Sequence, residues 1–134
     1  MNSLRPVQLT APAERSSVRL ARLVASGVGA EAGLSIDDTE DLRIAVSELV
    51  ALLVDGVDDP QLTIQVTYLS APGEVTVEGH GEAGPASSES SGSDAPPAVD
   101  DIALEILRVV VDAHAFEADD AGRRFRLVKR ARTT

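Results

Sequence analysis

Residues 44–54 constrain the fold of this chain more than any other part of its sequence. Only Ser47 and Glu48 are polar among these eleven residues. A helix that is apolar on nearly every side is buried on nearly every side, so it requires other elements packed around it. Ser35, followed by several acids, predicts a capped helix start, and the helix therefore runs over about residues 37–55.

Shorter segments with alternating apolar and polar residues predict strands. They lie around residues 7–9, 62–68, 75–77, 114–116 and 124–127. Apolar residues at helical spacing predict two further helices, over about residues 18–30 and 102–111. Pro12 fits the first turn of the earlier one, where a missing N–H is no loss.

The predicted element order is β-α-α-β-β-loop-α-β-β in a chain of 134 residues, the size of one domain. A mostly antiparallel sheet with helices on one face is the economical packing for this order. We therefore expect an α+β fold, a two-layer α/β sandwich, as a single domain over residues 1–134.

Residues 81–97 interrupt this pattern with Gly, Ser, Pro, Ala and acids. The composition lacks the apolar residues that would repay the entropy of ordering, so we expect a flexible loop. Five serines lie between Ser87 and Ser93. They could accept phosphate, although such runs are more often solvated linkers.

Charge and composition exclude several classes of function. The net charge is −10, which disfavours direct nucleic-acid binding because phosphates must be neutralised by Lys and Arg. Six of the twelve basic residues lie in the last twelve positions, and this short basic tail is the one opposing feature. The chain has no cysteine, no apolar span long enough for a membrane and no leader-like start, which indicates a cytoplasmic protein.

Glu48 is the strongest candidate for chemistry in the sequence. A carboxylate on an apolar helix risks desolvation, which raises its pKa and suits a general base. The ordinary alternative is that Ser47 and Glu48 form a narrow solvent-facing stripe with Arg43 or Asp55. His80 and His114 lie in no metal-ligand spacing, and we expect no metal site built from them.

Residues 41–48, with the sequence DLRIAVSE, resemble the N-box helix of the anti-sigma-factor serine kinases. These kinases are a branch of the GHKL (histidine-kinase-like) ATPase superfamily. The element order is similar too, with the loop at 81–97 where the family has its ATP lid, and residues 107–130 resemble the family's last helix and strand. The resemblance implies a histidine-kinase-like ATPase fold in a bacterial regulator of transcription. It also implies ATP and Mg²⁺ binding, phosphorylation of a serine on an antagonist protein, and sequestration of a sigma factor.

Carried over by position, the resemblance gives Glu48 the role of general base. The family's Mg²⁺-binding asparagine, four residues later, is Leu52 in this chain, which offers no oxygen ligand. The adenine-binding motif corresponds to Glu78, Gly79 and Gly81, with a longer acid and the glycines one position earlier. An exposed acid at a strand end is the ordinary interpretation of Glu78.

The phosphate end of the family's site corresponds to Asp100 and Asp101 in place of a Gly-x-Gly turn. Two carboxylates cap a helix start well, but they repel an incoming triphosphate. We therefore expect an anti-sigma-like regulator that binds a sigma factor or an anti-sigma antagonist, with ATP binding weak or lost. An active serine kinase and a scaffold subunit are the alternatives, and a homodimer is left open.

Overall fold

The computed structural model describes residues 5–84 and 101–132. Three helices pack against one face of a five-stranded antiparallel sheet, so the expected α+β sandwich is confirmed. The strands are β1 (Arg5–Pro12), β2 (Thr63–Ala71), β3 (Glu74–Gly81), β4 (Ala113–Asp119) and β5 (Gly122–Arg130), and the helices are α1 (Ser16–Glu31), α2 (Ile36–Val54) and α3 (Asp101–Val110). The sheet order is β1-β2-β3-β5-β4, so β5 lies inside the sheet and β4 at its edge.

Pro12 does not begin a helix, and that prediction is wrong. It ends the edge strand β1 opposite Thr63, and α1 begins at Ser16. A proline at the end of an edge strand removes no ladder hydrogen bond that the sheet needs. Its carbonyl accepts a hydrogen bond from the Ser17 hydroxyl at 2.6 Å, which ties the strand end to the helix start.

The core lies between α2 and the helix-facing side of the sheet. Ser35 caps the start of α2, and its side chain accepts a hydrogen bond from the Asp38 N–H, as the capping pattern predicts. Alternate residues of the central strands point toward it, and Tyr68 on β2 is fully buried. The Tyr68 hydroxyl donates to the Ala21 carbonyl of α1 at 2.7 Å, and burial raises the pKa of this phenol. The buried side chain of Tyr68 thus links α1 to the sheet.

The loop predicted at 81–97 begins where β3 ends, at Gly81. Residues 82–84 continue from that strand, and residues 85–97 lie outside the described residues, together with Asp100. No helix within the described parts of the chain is long and apolar enough to cross a membrane.

Candidate functional site

Glu48 lies on α2 and is half-buried, outside the set of buried positions of that helix. It borders a shallow cavity of about 320 Å³ that is also lined by Arg22, Arg43 and Ser47. The Ser47 hydroxyl donates back to the Arg43 carbonyl at 2.9 Å, so these polar groups form a strip along the helix. Glu48 therefore lies on the polar strip that the sequence offered as the alternative to full burial. Its role as a base stays a prediction.

Leu52 follows Glu48 by one turn and packs, half-buried, against the core. Its side chain carries no oxygen, and Mg²⁺ requires hard oxygen ligands. Within residues 5–84 and 101–132, no group of three or more acidic or histidine side chains is arranged to hold a metal ion.

Glu78 lies on the open face of the sheet, away from the helices. It pairs with Thr67 on β2 and Arg126 on β5, and its carboxylate forms an ion pair with Arg126 at 3.3 Å. Glu48 is on the helix layer, so the structure does not bring these two acids together. The sequence could have predicted the position of Glu78. Val75 and Val77 alternate as buried residues of β3, and this alternation places residue 78 on the opposite face.

Gly79 and Gly81 face the helices, and neighbouring side chains occupy the space where a Cβ atom would lie. A Cβ atom on Gly79 would lie 2.4 Å from Cε2 of Phe125, its partner on β5. A Cβ on Gly81 would lie 3.3 Å from Ile64 Cγ2. The glycines thus accommodate internal packing on the helix-facing side. A cavity of about 510 Å³ lies on the open face of the sheet, and Glu78, Gly79 and Phe125 are among the residues that line it.

The phosphate end of the candidate site stays a prediction. Asp100 lies outside the described residues, and Asp101 is placed only as the first residue of α3.

Arg123 is a buried residue that sequence reasoning missed. Its side chain lies on the helix-facing side of β5, and the residue is 4% exposed. The guanidinium donates to the carbonyls of Leu52 and Asp55 at the end of α2, at 3.0 and 2.7 Å, and to the Gly84 carbonyl at 2.9 Å. Burial lowers the pKa of Arg123. Alternation along β5 is the signal that could have found it, since it places residues 123, 125, 127 and 129 on one face.

Lys129 forms a second buried charge cluster at the other end of α2. Its ammonium lies 3.5 Å from Asp38 Oδ1 and 3.4 Å from Asp41 Oδ2, and both Lys129 and Asp38 are almost fully buried. Arg132 forms ion pairs with both acids, and its backbone N–H donates to Asp38 at 3.0 Å. That N–H, followed by the Lys129 ammonium, lowers the pKa of Asp38 despite its burial. We define these four residues as the α2 ion network.

The basic tail is therefore engaged within the fold. Arg124, Arg126 and Arg130 form ion pairs with acids on neighbouring strands. Arg123, Lys129 and Arg132 also have partners within the fold.

Unpartnered positive charge lies on α1 instead. Arg15, Arg19 and Arg22 follow helical spacing, are exposed and form no ion pair within the described parts of the chain. Leu20 and Leu23 lie beside them with 47% and 68% of their surface exposed. We call these five residues the α1 patch. It combines positive charge with apolar surface on a protein whose overall charge is strongly negative.

The model of the histidine kinase-like ATPase domain matches residues 11–129, which is most of the chain. The chain belongs to the histidine kinase-like ATPase domain family. This confirms the family resemblance carried by residues 41–48.

Curated relatives of this histidine kinase-like ATPase domain are serine-protein kinases named RsbW. The protein from Listeria monocytogenes serotype 4a is 37% identical over 79 residues, covering 56% of this chain and 50% of its own length. The protein from Halalkalibacterium halodurans is 34% identical over 62 residues, covering 46% and 38%. The chain thus spans about half the length, or less, of these relatives.

Among solved structures, the RsbU and RsbW domains of a Mycobacterium tuberculosis protein match with a TM-score of 0.69 and 20% identity. That match covers 97% of this chain and 34% of the other. At this identity the likeness shows a shared fold and nothing further.

Proposed function

We propose that this domain is a bacterial, cytoplasmic anti-sigma-like regulator whose activity is binding, with ATP binding weak or lost. Its partner is a sigma factor or an anti-sigma antagonist, and transcription is the process regulated. The observation that carries the proposal is the packing of Phe125 against Gly79, because its ring occupies space beside a glycine that the resemblance assigns to adenine binding. Leu52 and the outward position of Glu78 support the same proposal.

The α1 patch is the surface that we assign to partner binding. Three arginines without intramolecular partners keep their charge available, and two exposed leucines supply apolar contact area. Arginine is enriched among the residues that dominate interface energies, and the exposed leucines add apolar area that binding would remove from water. The charge sign indicates an acidic surface on the partner, with apolar residues among its acids.

The binding test uses the partner protein that co-purifies with this domain from an extract of its own cells. We expect the double variant Arg19→Glu and Arg22→Glu to weaken binding of that partner at least about tenfold, because each reversal places like charges together. The control is Arg108→Glu on α3, an exposed arginine in a surface ion pair with Glu105. It should change affinity less than about twofold. Equal effects of the two variants would argue against the α1 patch.

Nucleotide binding is tested separately by calorimetry. With Mg-ATP we expect a dissociation constant weaker than about 1 mM, or no measurable heat. Micromolar, magnesium-dependent binding would overturn this part of the proposal and favour an active kinase.

The active serine kinase is the second candidate, and the exposure of Glu48 favours it. A half-buried carboxylate beside an open cavity is within reach of a substrate hydroxyl. If Glu48 is a base, Glu48→Gln abolishes phosphate transfer to the antagonist and leaves partner binding unchanged. We expect instead that transfer is absent from the wild type and that Glu48→Gln leaves binding unchanged. The matched control is Glu40→Gln, on the same helix face and bordering the same cavity.

A further inference from the structure

Four backbone carbonyls converge on the guanidinium of Arg123. Nη1 lies 3.0 Å from the Leu52 oxygen, 3.4 Å from Leu53 and 2.7 Å from Asp55, and Nε lies 2.9 Å from Gly84. Three of these oxygens belong to the end of α2, and the fourth follows β3. The group therefore joins three elements at one point, including its own strand β5.

Arg123 has no carboxylate ion-pair partner within the described parts of the chain, and carbonyl dipoles compensate its charge. The last carbonyls of a helix lack intrahelical partners and carry the negative end of the helix dipole. A buried cation there satisfies the oxygens and is stabilised by them. Asp55 adds a more distant favourable charge.

The Arg123 guanidinium lies at the end of α2, beside the position where the resemblance expects a metal ligand. It contacts the carbonyl of Leu52, the residue at which the resemblance expects a metal ligand. The other side of the same helix end is apolar, with Leu53 and Val54 buried. A positive group is thus already built against the free carbonyls at the end of the helix.

We propose that these four carbonyl oxygens form a cation site that Arg123 occupies permanently, so that the end of α2 is held without an external metal ion or nucleotide. The proposal goes beyond partner binding and does not depend on the partner's identity. It assigns to residue 123 a requirement for charge and for hydrogen-bond donors, in addition to packing volume.

The first experiment compares Arg123→Lys with Arg123→Met by thermal unfolding. Lysine keeps the charge with a single donor nitrogen, whereas methionine keeps much of the volume and removes both charge and donors. A cation site predicts that the lysine variant melts at least about 3 °C above the methionine variant, which corresponds to a difference near 1 kcal/mol. Equal melting temperatures, or a more stable methionine variant, would overturn the proposal.

The second experiment restores the cation from solution. Arg123→Ala leaves the carbonyls without a donor, and ethylguanidinium chloride at millimolar concentration is the probe. We expect it to raise the melting temperature of this variant by at least about 3 °C relative to the same concentration of choline chloride. The wild type should show no rise, since its site is filled.

Arg124→Ala is the matched control, because Arg124 is the next residue on β5 and points to the open face, where it pairs with Glu117 and Asp119. Ethylguanidinium should not stabilise it. An equal effect on both variants, or none on Arg123→Ala, would refute a specific site. If Arg123→Ala does not fold, the comparison of lysine with methionine decides the question.

Discussion

Lys129→Met tests the α2 ion network most directly. The substitution removes an ammonium that lies within 3.5 Å of Asp38 and Asp41, while the methionine fills much of the same volume. Asp38, only 2% exposed, then keeps its negative charge with less compensation. Removing one partner of a buried ion pair costs about 3–5 kcal/mol. Because Arg132 stays paired with both acids, we expect the lower end, about 3 kcal/mol.

The assay for Lys129→Met is two-state unfolding by urea and by heat. At about 2.1 cal/mol/K per residue, 134 residues give an unfolding entropy of about 0.28 kcal/mol/K, so the melting temperature should fall by about 11 °C. Adding Asp38→Asn to Lys129→Met should cost less than Asp38→Asn costs in the wild type. In the Lys129→Met background, no buried ammonium is left to lose its partner. A loss below about 1 kcal/mol, or strictly additive costs, would refute the reasoning.

Three further substitutions have expected outcomes. The pKa of Asp38 is lowered by the Arg132 N–H and by Lys129, so its stabilisation is complete above its ordinary pKa of 3.8 and is lost as the pH falls below it. Between about pH 5 and pH 3, wild-type protein should therefore lose more stability than Asp38→Asn, as urea titrations at each pH would show. Tyr68→Phe should cost about 1–2 kcal/mol, measured by urea unfolding, because the Ala21 carbonyl loses its buried donor. Gly79→Ala should cost about 1–3 kcal/mol, and less in a Phe125→Leu background if ring contact is the cause.

The helix and strand order could be predicted from the sequence because it depends on local periodicity. The apolar run of α2 and its cap at Ser35 predict the helix within one residue at each end. The insertion of β5 between β3 and β4 could not be predicted this way. A hairpin can join a sheet through either of its strands, and only packing against the helices selects one.

The site was less predictable because it depends on which residues face each other across strands. Alternation predicts Glu78 on the open face, whereas the match to the family motif predicts it beside adenine at the strand end. Arg123 and Lys129 were missed because charged side chains are seldom buried without a partner. Their partners, helix-end carbonyls and the acids of α2, lie about 70 and 90 residues earlier in the chain, and no local pattern connects them.

The position of both buried cations on one face of β5 has a consequence for strand pairing. Arg123 contacts the end of α2 and Lys129 contacts its beginning, with Phe125 and Leu127 between them in the core. A shift of β5 by one residue would turn all four side chains to the open face and leave the ends of α2 without their cations. The pairing of β5 with β3 is therefore selected by charge at both ends of a helix as well as by shape between them.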